Sequence, residues 1–381
     1  MASGSAGTAA PVRVRNGLKT SAQRLRVSAL PILQCAVAAG ASWWVATVVI
    51  GHTSPFFAPI AAVVSLGLSL GARLRRSVEL VAGVTIGIGV GDLLIAFIGS
   101  GTWQIALVVA LAMTAAVLLN SGPVLSMQAG NSAVLVATLL PPGGMAGVNR
   151  MVDALTGGLV GIAVVALLPT HPVGRARRHA AGVLGTAAEV MQLVADGLVA
   201  NDDKPIEEAL RKARATQSSI DNLRTHLAGG REVSRISPLY WNTRGRLERL
   251  SAVADPLDNA LRNIRVLARR SLTLVRDDEI LNPRLVDQVE KLAQAIETLR
   301  LMVLADPGQQ PDQAEAARVL RSVASGLKPE LVENAGLSAT VVFAQIRSLT
   351  VDLMQVAGLN RISAIAHLPP TVQKPAYRPE L

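Results

Sequence analysis

The chain has 381 residues, half of them apolar, with 17% charged, 3% aromatic and a net charge of +10. Its mean hydropathy of +0.39 is too high for an ordinary soluble enzyme. A pI near 10.7 would suit a nucleic-acid binder, but the basic residues flank apolar runs and no aromatic-rich platform for bases is present, so no nucleic-acid partner is expected.

The charges divide the chain in two. Between residues 29 and 170 there are only seven charged side chains: Arg73, Arg75, Arg76, Glu79, Asp92, Arg150 and Asp153. From His171 onward basic and acidic residues are dense and nearly balanced. The expected fold class is therefore all-α: six transmembrane helices built as a 3+3 inverted repeat, followed by a cytoplasmic helical bundle.

Residues 1–28 form a small, polar, basic arm, expected to be cytoplasmic and to end in a short interfacial helix. Apolar segments follow near 29–50, 56–72, 77–98, 103–119, 124–140 and 152–169, some shorter than the roughly 20 residues a perpendicular span needs. The first continues past the length of a signal-peptide core, so it reads as an uncleaved span. It contains the single cysteine, Cys35, a packing residue with no disulfide partner in the chain. Trp43 and Trp44 suit an outer interfacial belt.

Arginines and Lys19 cluster in the N-terminal arm, at Arg73–Arg76 and at Arg175–Arg178, while the loops Gly51–Pro55 and Gly99–Thr102 carry neither. By the positive-inside rule both termini are cytoplasmic, and the abundant arginine and alanine suit a bacterial plasma membrane. Arg150, placed in the last outer loop, is one dissenting charge. His52, in the first outer loop, reads as an exposed residue.

After His171 the period becomes that of amphipathic helices. Leu247, Leu250, Ala254, Leu257, Leu261, Ile264 and Ala268 make one seam; Leu285, Val289, Leu292, Ile296, Leu299 and Val303 a second; Val342, Ile346, Leu349, Leu353 and Val356 a third. Such seams bury against neighbouring helices. Asp203, Asn282 and Ser338 mark helix starts, and Gly229-Gly230 and Asp306-Pro307-Gly308 mark breaks. The domain organisation is thus a basic arm (1–28), a transmembrane domain (29–170), a cytoplasmic α-helical domain (171–360) and a flexible tail (361–381).

One pattern occurs twice. Arg76-Ser-Val-Glu79-Leu-Val-Ala-Gly83-Val-Thr-Ile-Gly87-Ile-Gly-Val is followed 74 residues later by Arg150-Met-Val-Asp153-Ala-Leu-Thr-Gly157-Gly-Leu-Val-Gly161-Ile-Ala-Val. With three spans between them, the two copies face opposite sides of the bilayer, a common plan for transporters whose path lies between the halves. Gly83, Gly87 and Gly91, and likewise Gly157 and Gly161, form smooth stripes that admit a close helix. Those stripes pack the bundle, or they and the charges at their heads line a shared path.

Asp92 lies 13 residues beyond Glu79, about 20 Å along a helix. A carboxylate at membrane depth is a candidate for proton coupling or gating, the alternative being a wet position at the outer headgroups. Gln128 and Asn131, three apart and so on the same side of a helix, either hydrogen-bond a passing carboxylate or glue two helices. Arg262, Arg265, Arg269 and Arg270 make a basic helix face, solvated or in contact with lipid headgroups or a regulatory anion. No phosphate loop, nucleophile elbow, paired-histidine metal helix or dinucleotide motif is present. Neither an enzymatic activity nor a cofactor or metal is expected.

Six spans with an Arg-x-x-acid-x-x-x-Gly-x-x-x-Gly element after the second, then a helical domain, resemble the fusaric-acid-resistance and aromatic acid exporter superfamily. Aluminium-activated malate transporters are its distant members. The resemblance covers most of residues 25–360 and is specific over Arg73–Gly91. It implies export of aromatic or other small organic acids, possible proton coupling, and, because many members carry two six-span halves, a homo-oligomer, most simply a dimer. A small organic anion and the lipid bilayer are the expected partners. The candidate path residues are Arg76, Glu79, Asp92, Gln128, Asn131, Arg150 and Asp153. The alternatives are a gated anion channel and a non-transporting membrane scaffold.

Overall fold

A computed structural model describes residues 10–66, 73–119, 123–139, 146–168, 172–305 and 313–372; side chains of 10–24, 26, 27, 73–77, 139, 146, 147, 236, 313 and 314 lie outside that description. Every regular element among the described residues is helical. The chain divides into two compact units: residues 1–170 with 232–241, and residues 171–231 with 242–381. It is an integral, all-α, polytopic membrane protein.

The first unit holds α1 (Ala10–Trp44), a π-helical turn (Val45–Val49), α2 (Phe57–Leu66), α3 (Arg73–Ile98), α4 (Thr102–Leu119), α5 (Pro123–Leu139) and α6 (Ala146–Leu167). Pro123 opens α5, where the missing N–H costs nothing. Gly99, at φ +70°, closes α3 by returning its N–H to the Ile95 carbonyl at 3.0 Å. Four stretches of this unit are long and apolar enough to cross a bilayer: Ser28–Val49, Val78–Ile98, Thr102–Leu119 and Val148–Leu167. The described α2 has 10 residues and α5 has 17. Phe57, Ala58, Ala61, Ala62, Ser65 and Leu66 of α2 are buried, so this short helix is covered by its longer neighbours.

The helix pairings follow a pseudo-two-fold that exchanges α1–α3 with α4–α6. The helix α3 packs along α5, and α6 packs along α2; α1 meets α2 and α6 as α4 meets α5 and α3. The third helices, α3 and α6, meet each other. Among the described residues, α2 against α3 is the pairing without an equally close counterpart.

The second unit holds α7 (Pro172–Ala200), α8 (Asp203–Ile236, its last turn belonging to the first unit), α9 (Arg244–Arg276), α10 (Pro283–Leu304), α11 (Gln313–Gly326), α12 (Leu337–Val356) and α13 (Arg361–Ala366). The seams of α9, α10 and α12 are buried in one core, with Leu250 at its edge. The helices α7 and α12 are also long and apolar enough to span. Here they are core helices: α7 packs on α9 and α10, and α12 on α9, whose other faces are charged.

Asn282 caps α10 through the Arg284 N–H at 3.0 Å, with Pro283 in the first turn. The helix α8 starts at Asp203 as expected, and Asp202 Oδ1 just before it accepts from the Lys204 N–H at 3.1 Å. The helix α12 starts at Leu337, one residue before Ser338. Gly229-Gly230 does not break α8, which runs through it. A Cβ on Gly230 would lie 3.1 Å from Leu247 and 3.4 Å from Pro172, so that glycine serves a close approach. Asp306-Pro307-Gly308 lies outside the described residues. Arg361–Ala366, expected to begin the tail, is helical, with Ala364 buried and Asn360 accepting from Ser363 N–H.

Candidate functional site

The glycines of the repeat sit where its helices cross. A Cβ on Gly83 would stand 2.5 Å from the Leu125 carbonyl and 2.8 Å from Gln128 Cβ; one on Gly87, 2.3 Å from the Ala129 carbonyl and 2.7 Å from Ser132 Cβ. Gly91 lies over Val136. In the second copy Gly157 would meet the Ala58 carbonyl at 2.1 Å and Ala61 Cβ at 2.7 Å, and Gly161 would meet Leu66 and the Ala62 carbonyl. Residue pairs thus match across the pseudo-two-fold: Ala58 with Leu125, Ala61 with Gln128, Ala62 with Ala129. The same spacing matches Ser65 with Ser132, and both of these hydroxyls are buried without a hydrogen-bond partner among the described residues. An unsatisfied buried hydroxyl is costly, so its occurrence in both copies marks the middle of the bundle as more polar than its sequence implies.

Polar groups gather where α6 begins. Arg150 is not in a loop: α6 starts at Ala146 and carries Arg150 inside, 6% exposed. Its guanidinium lies 5.4 Å from the Phe56 ring centroid and 5.3 Å from that of Phe57. Desolvated cation–π contacts of this kind favour the planar arginine over lysine. Its Nη1 is buried with no hydrogen-bond partner among the described residues.

One turn further along α6, Asp153 is 4% exposed and accepts a 2.6 Å hydrogen bond from His52 Nδ1–H. His52 is therefore not the exposed loop residue its position suggested. The π-turn and Gly51, at φ +87°, fold the chain back so that His52 N–H reaches the Ala46 carbonyl and its ring reaches α6. Asp92, half-buried near the end of α3, lies within electrostatic reach of Arg150, as does Asp153. The far end of α3 is thus beside the start of α6, and the two helices run antiparallel.

The other candidates are placed apart from this cluster. Arg76 lies in the first turn of α3, and its side chain is outside the described residues. Glu79 is 5% exposed, with its helix position about 20 Å from Asp92 at 1.5 Å per residue. Gln128 is buried beneath Gly83, but Asn131 is exposed. The expectation that these two share a face is corrected: α3 covers the Gln128–Ala129–Ser132 side of α5 and leaves Asn131 outside. The sequence reading missed His52, Phe56, Phe57 and Ser65. A signal was there: His52 is the single histidine before residue 171, and Phe56 and Phe57 are two of only four phenylalanines.

The arrangement offers a positive, planar, ring-stacked group with an open N–H, flanked by two carboxylates and an imidazole. It can take a carboxylate, and its own carboxylates can compete for the same guanidinium.

Residues 41–164 match the family described as fusaric acid resistance protein-like. An uncharacterized protein of Corynebacterium glutamicum is 41% identical over 368 residues, covering 96% of this chain and 94% of that protein. Proteins of Mycobacterium bovis and Mycobacterium tuberculosis named "Putative arylamide transporter" are each 34% identical over 270 residues, covering 68% of this chain and 74% of their own length.

Proposed function

The chain belongs to the fusaric acid resistance protein-like family, and on that premise we propose that it is a secondary transporter exporting small organic anions, aromatic acids foremost, across a bacterial plasma membrane. The observation that carries this reading is Arg150: buried, stacked on Phe56 and Phe57, and holding an Nη1–H that no group among the described residues accepts. A cargo carboxylate supplies the missing acceptor. A flat apolar body suits the neighbouring rings. The mycobacterial relatives are named for arylamides, which share the aryl body of this cargo but not its carboxylate.

Orientation follows from charge. The arginine-rich arm and the Arg73–Arg76 stretch face the cytoplasm, and the second unit lies on that side with both termini. Exposed Trp43, Trp44 and Trp103 then share the outer interface. The His52–Asp153–Arg150 cluster sits at the outer mouth and Arg76–Glu79 at the inner one.

Asp153 and a cargo carboxylate compete for the Arg150 guanidinium, so cargo binding and the protonation of Asp153 are linked. Proton coupling at this site rests on that competition. A second copy of the chain completes the assembly.

The test is flux in proteoliposomes with benzoate as probe. Uphill benzoate movement driven by an imposed pH gradient is the expected result. Strictly downhill current that follows voltage makes the protein a channel. Absence of flux across a broad acid panel would instead fit a scaffold.

A further inference from the structure

The second unit contains a cleft of about 740 Å³ that the transport reading does not use. Its walls come from α9, α12, α13 and the segment after α13. Arg262, Arg347 and Arg361 line it, against one carboxylate, Asp352. Its size is that of pockets which enclose small organic ligands, about 300–1,000 Å³.

The cationic groups differ in how far they are committed. Arg347 is fixed: Nη1 donates to the Leu327 carbonyl at 2.8 Å, Nη2 to the Pro369 carbonyl at 2.7 Å, and the guanidinium lies 5.5 Å from the Phe343 ring. Arg262 pairs with Asp258 at 2.8 Å. Arg361, the first residue of α13, is exposed and makes no salt bridge among the described residues. Asp352 is 4% exposed and accepts from Asn263 Nδ2 at 2.7 Å, with Arg361 as its attracting charge. Phe343, Val351, Ile365 and Leu368 supply an apolar wall.

With Arg262 held by Asp258, Arg347 and Arg361 against Asp352 leave the cleft net positive, which favours an anion. The buried Asp352 carboxylate in the same wall opposes a multiply charged ligand such as phosphate. The apolar wall adds a requirement for a hydrophobic body. We propose that this cleft binds a small monocarboxylate with an apolar body, its carboxylate on Arg361 and its body against Phe343, Ile365 and Leu368. The basic face of α9 thereby has a ligand-facing member in Arg262, at a place distinct from Arg150.

Burial pushes Asp352 up to about 6, against the Asn263 hydrogen bond and the Arg361 charge. The charged groups around the cleft are Arg262 on α9, with its partner Asp258, Arg347 on α12 and Arg361 on α13. The arginines keep their charge across the physiological range. Protonating Asp352 removes the one wall anion, so carboxylate binding tightens as pH falls through that value.

The experiment is calorimetric titration in detergent of the full chain carrying Arg150→Ala, so that the transport site does not contribute, with benzoate, benzamide and inorganic phosphate. The expected result is saturable benzoate binding, weakened at least about tenfold when Arg361→Ala is added, as loss of a charge-assisted contact implies. Benzamide and phosphate do not compete, and with Asp352→Asn added benzoate binding no longer varies with pH. Benzoate binding equal with and without Arg361→Ala overturns the proposal, as does absence of benzoate binding in the Arg150→Ala chain. Phosphate binding that displaces benzoate overturns it too. If the Arg361→Ala chain fails to fold, unchanged pH dependence in Asp352→Asn decides against it.

Discussion

Arg150 shows what a single residue can hide from sequence. Its place beside a Gly/Pro-rich stretch read as loop, whereas the helix starts four residues earlier and turns the guanidinium inward over Phe56 and Phe57. His52 was hidden for a similar reason, because only the Gly51 turn aims it at Asp153, 101 residues away. Long-range pairs of this kind leave no periodic trace. Removing the donor in His52→Ala leaves Asp153 buried without its hydrogen bond, whereas Asp153→Asn keeps an acceptor for His52 and removes the titrating carboxylate. Both variants are expected to flatten the pH dependence of flux while the protein still elutes as wild type. Unchanged pH profiles in both would remove these groups from the coupling. In the second unit Asp352 binds its proton more tightly folded than unfolded, so its contribution to stability is full below about pH 4 and lost as pH rises through about 6. Asp352→Asn is expected to abolish that part of the decline in melting temperature between about pH 4 and 6.

At the level of helices, the sequence was most legible where a period was long. The three heptad-like seams of α9, α10 and α12 were visible residue by residue, and they are the buried ones. The glycine stripes were equally visible, but not their partners: that α3 crosses α5 and α6 crosses α2 depends on chain topology rather than local pattern. Gly229-Gly230 misled because a glycine needed for close packing looks the same as one that ends a helix. The crossings make a discriminating prediction. Gly157→Ala puts a Cβ 2.1 Å from the Ala58 carbonyl, and Gly83→Ala puts one 2.5 Å from that of Leu125. Each is expected to cost about 1–3 kcal/mol by overpacking, read as a lower melting temperature in detergent. Gly89→Ala meets nothing within 4 Å and is expected to be neutral or stabilising by up to about 1 kcal/mol. Equal effects at Gly89 and Gly157 would contradict the crossing geometry.

Across the whole molecule, the composition divide near residue 170 coincides in the chain with the change from apolar to amphipathic helices, while residues 232–241 return to the first unit, where Val233 and Tyr240 pack with Leu66 and Val165. Nothing in the local sequence of that segment announces the return. The pseudo-two-fold places one charged head at each end of α3 and α6, and the transport reading needs both ends to be used in turn. If two copies form the working assembly, light scattering of the purified protein gives about twice the 39.8 kDa chain mass; a monomeric mass with full activity refutes the dimer. The central claim is that cargo binds at Arg150, and its most direct test is the initial rate of pH-driven benzoate flux in Arg150→Lys and Arg150→Ala. Losing a charge-assisted hydrogen bond of about 1.5–3 kcal/mol predicts a fall of about 10- to 150-fold in kcat/KM for Arg150→Ala. Arg150→Lys, which keeps the charge but not the planar stack, is also expected to be impaired. Wild-type kcat/KM in a folded Arg150→Ala protein would contradict the account.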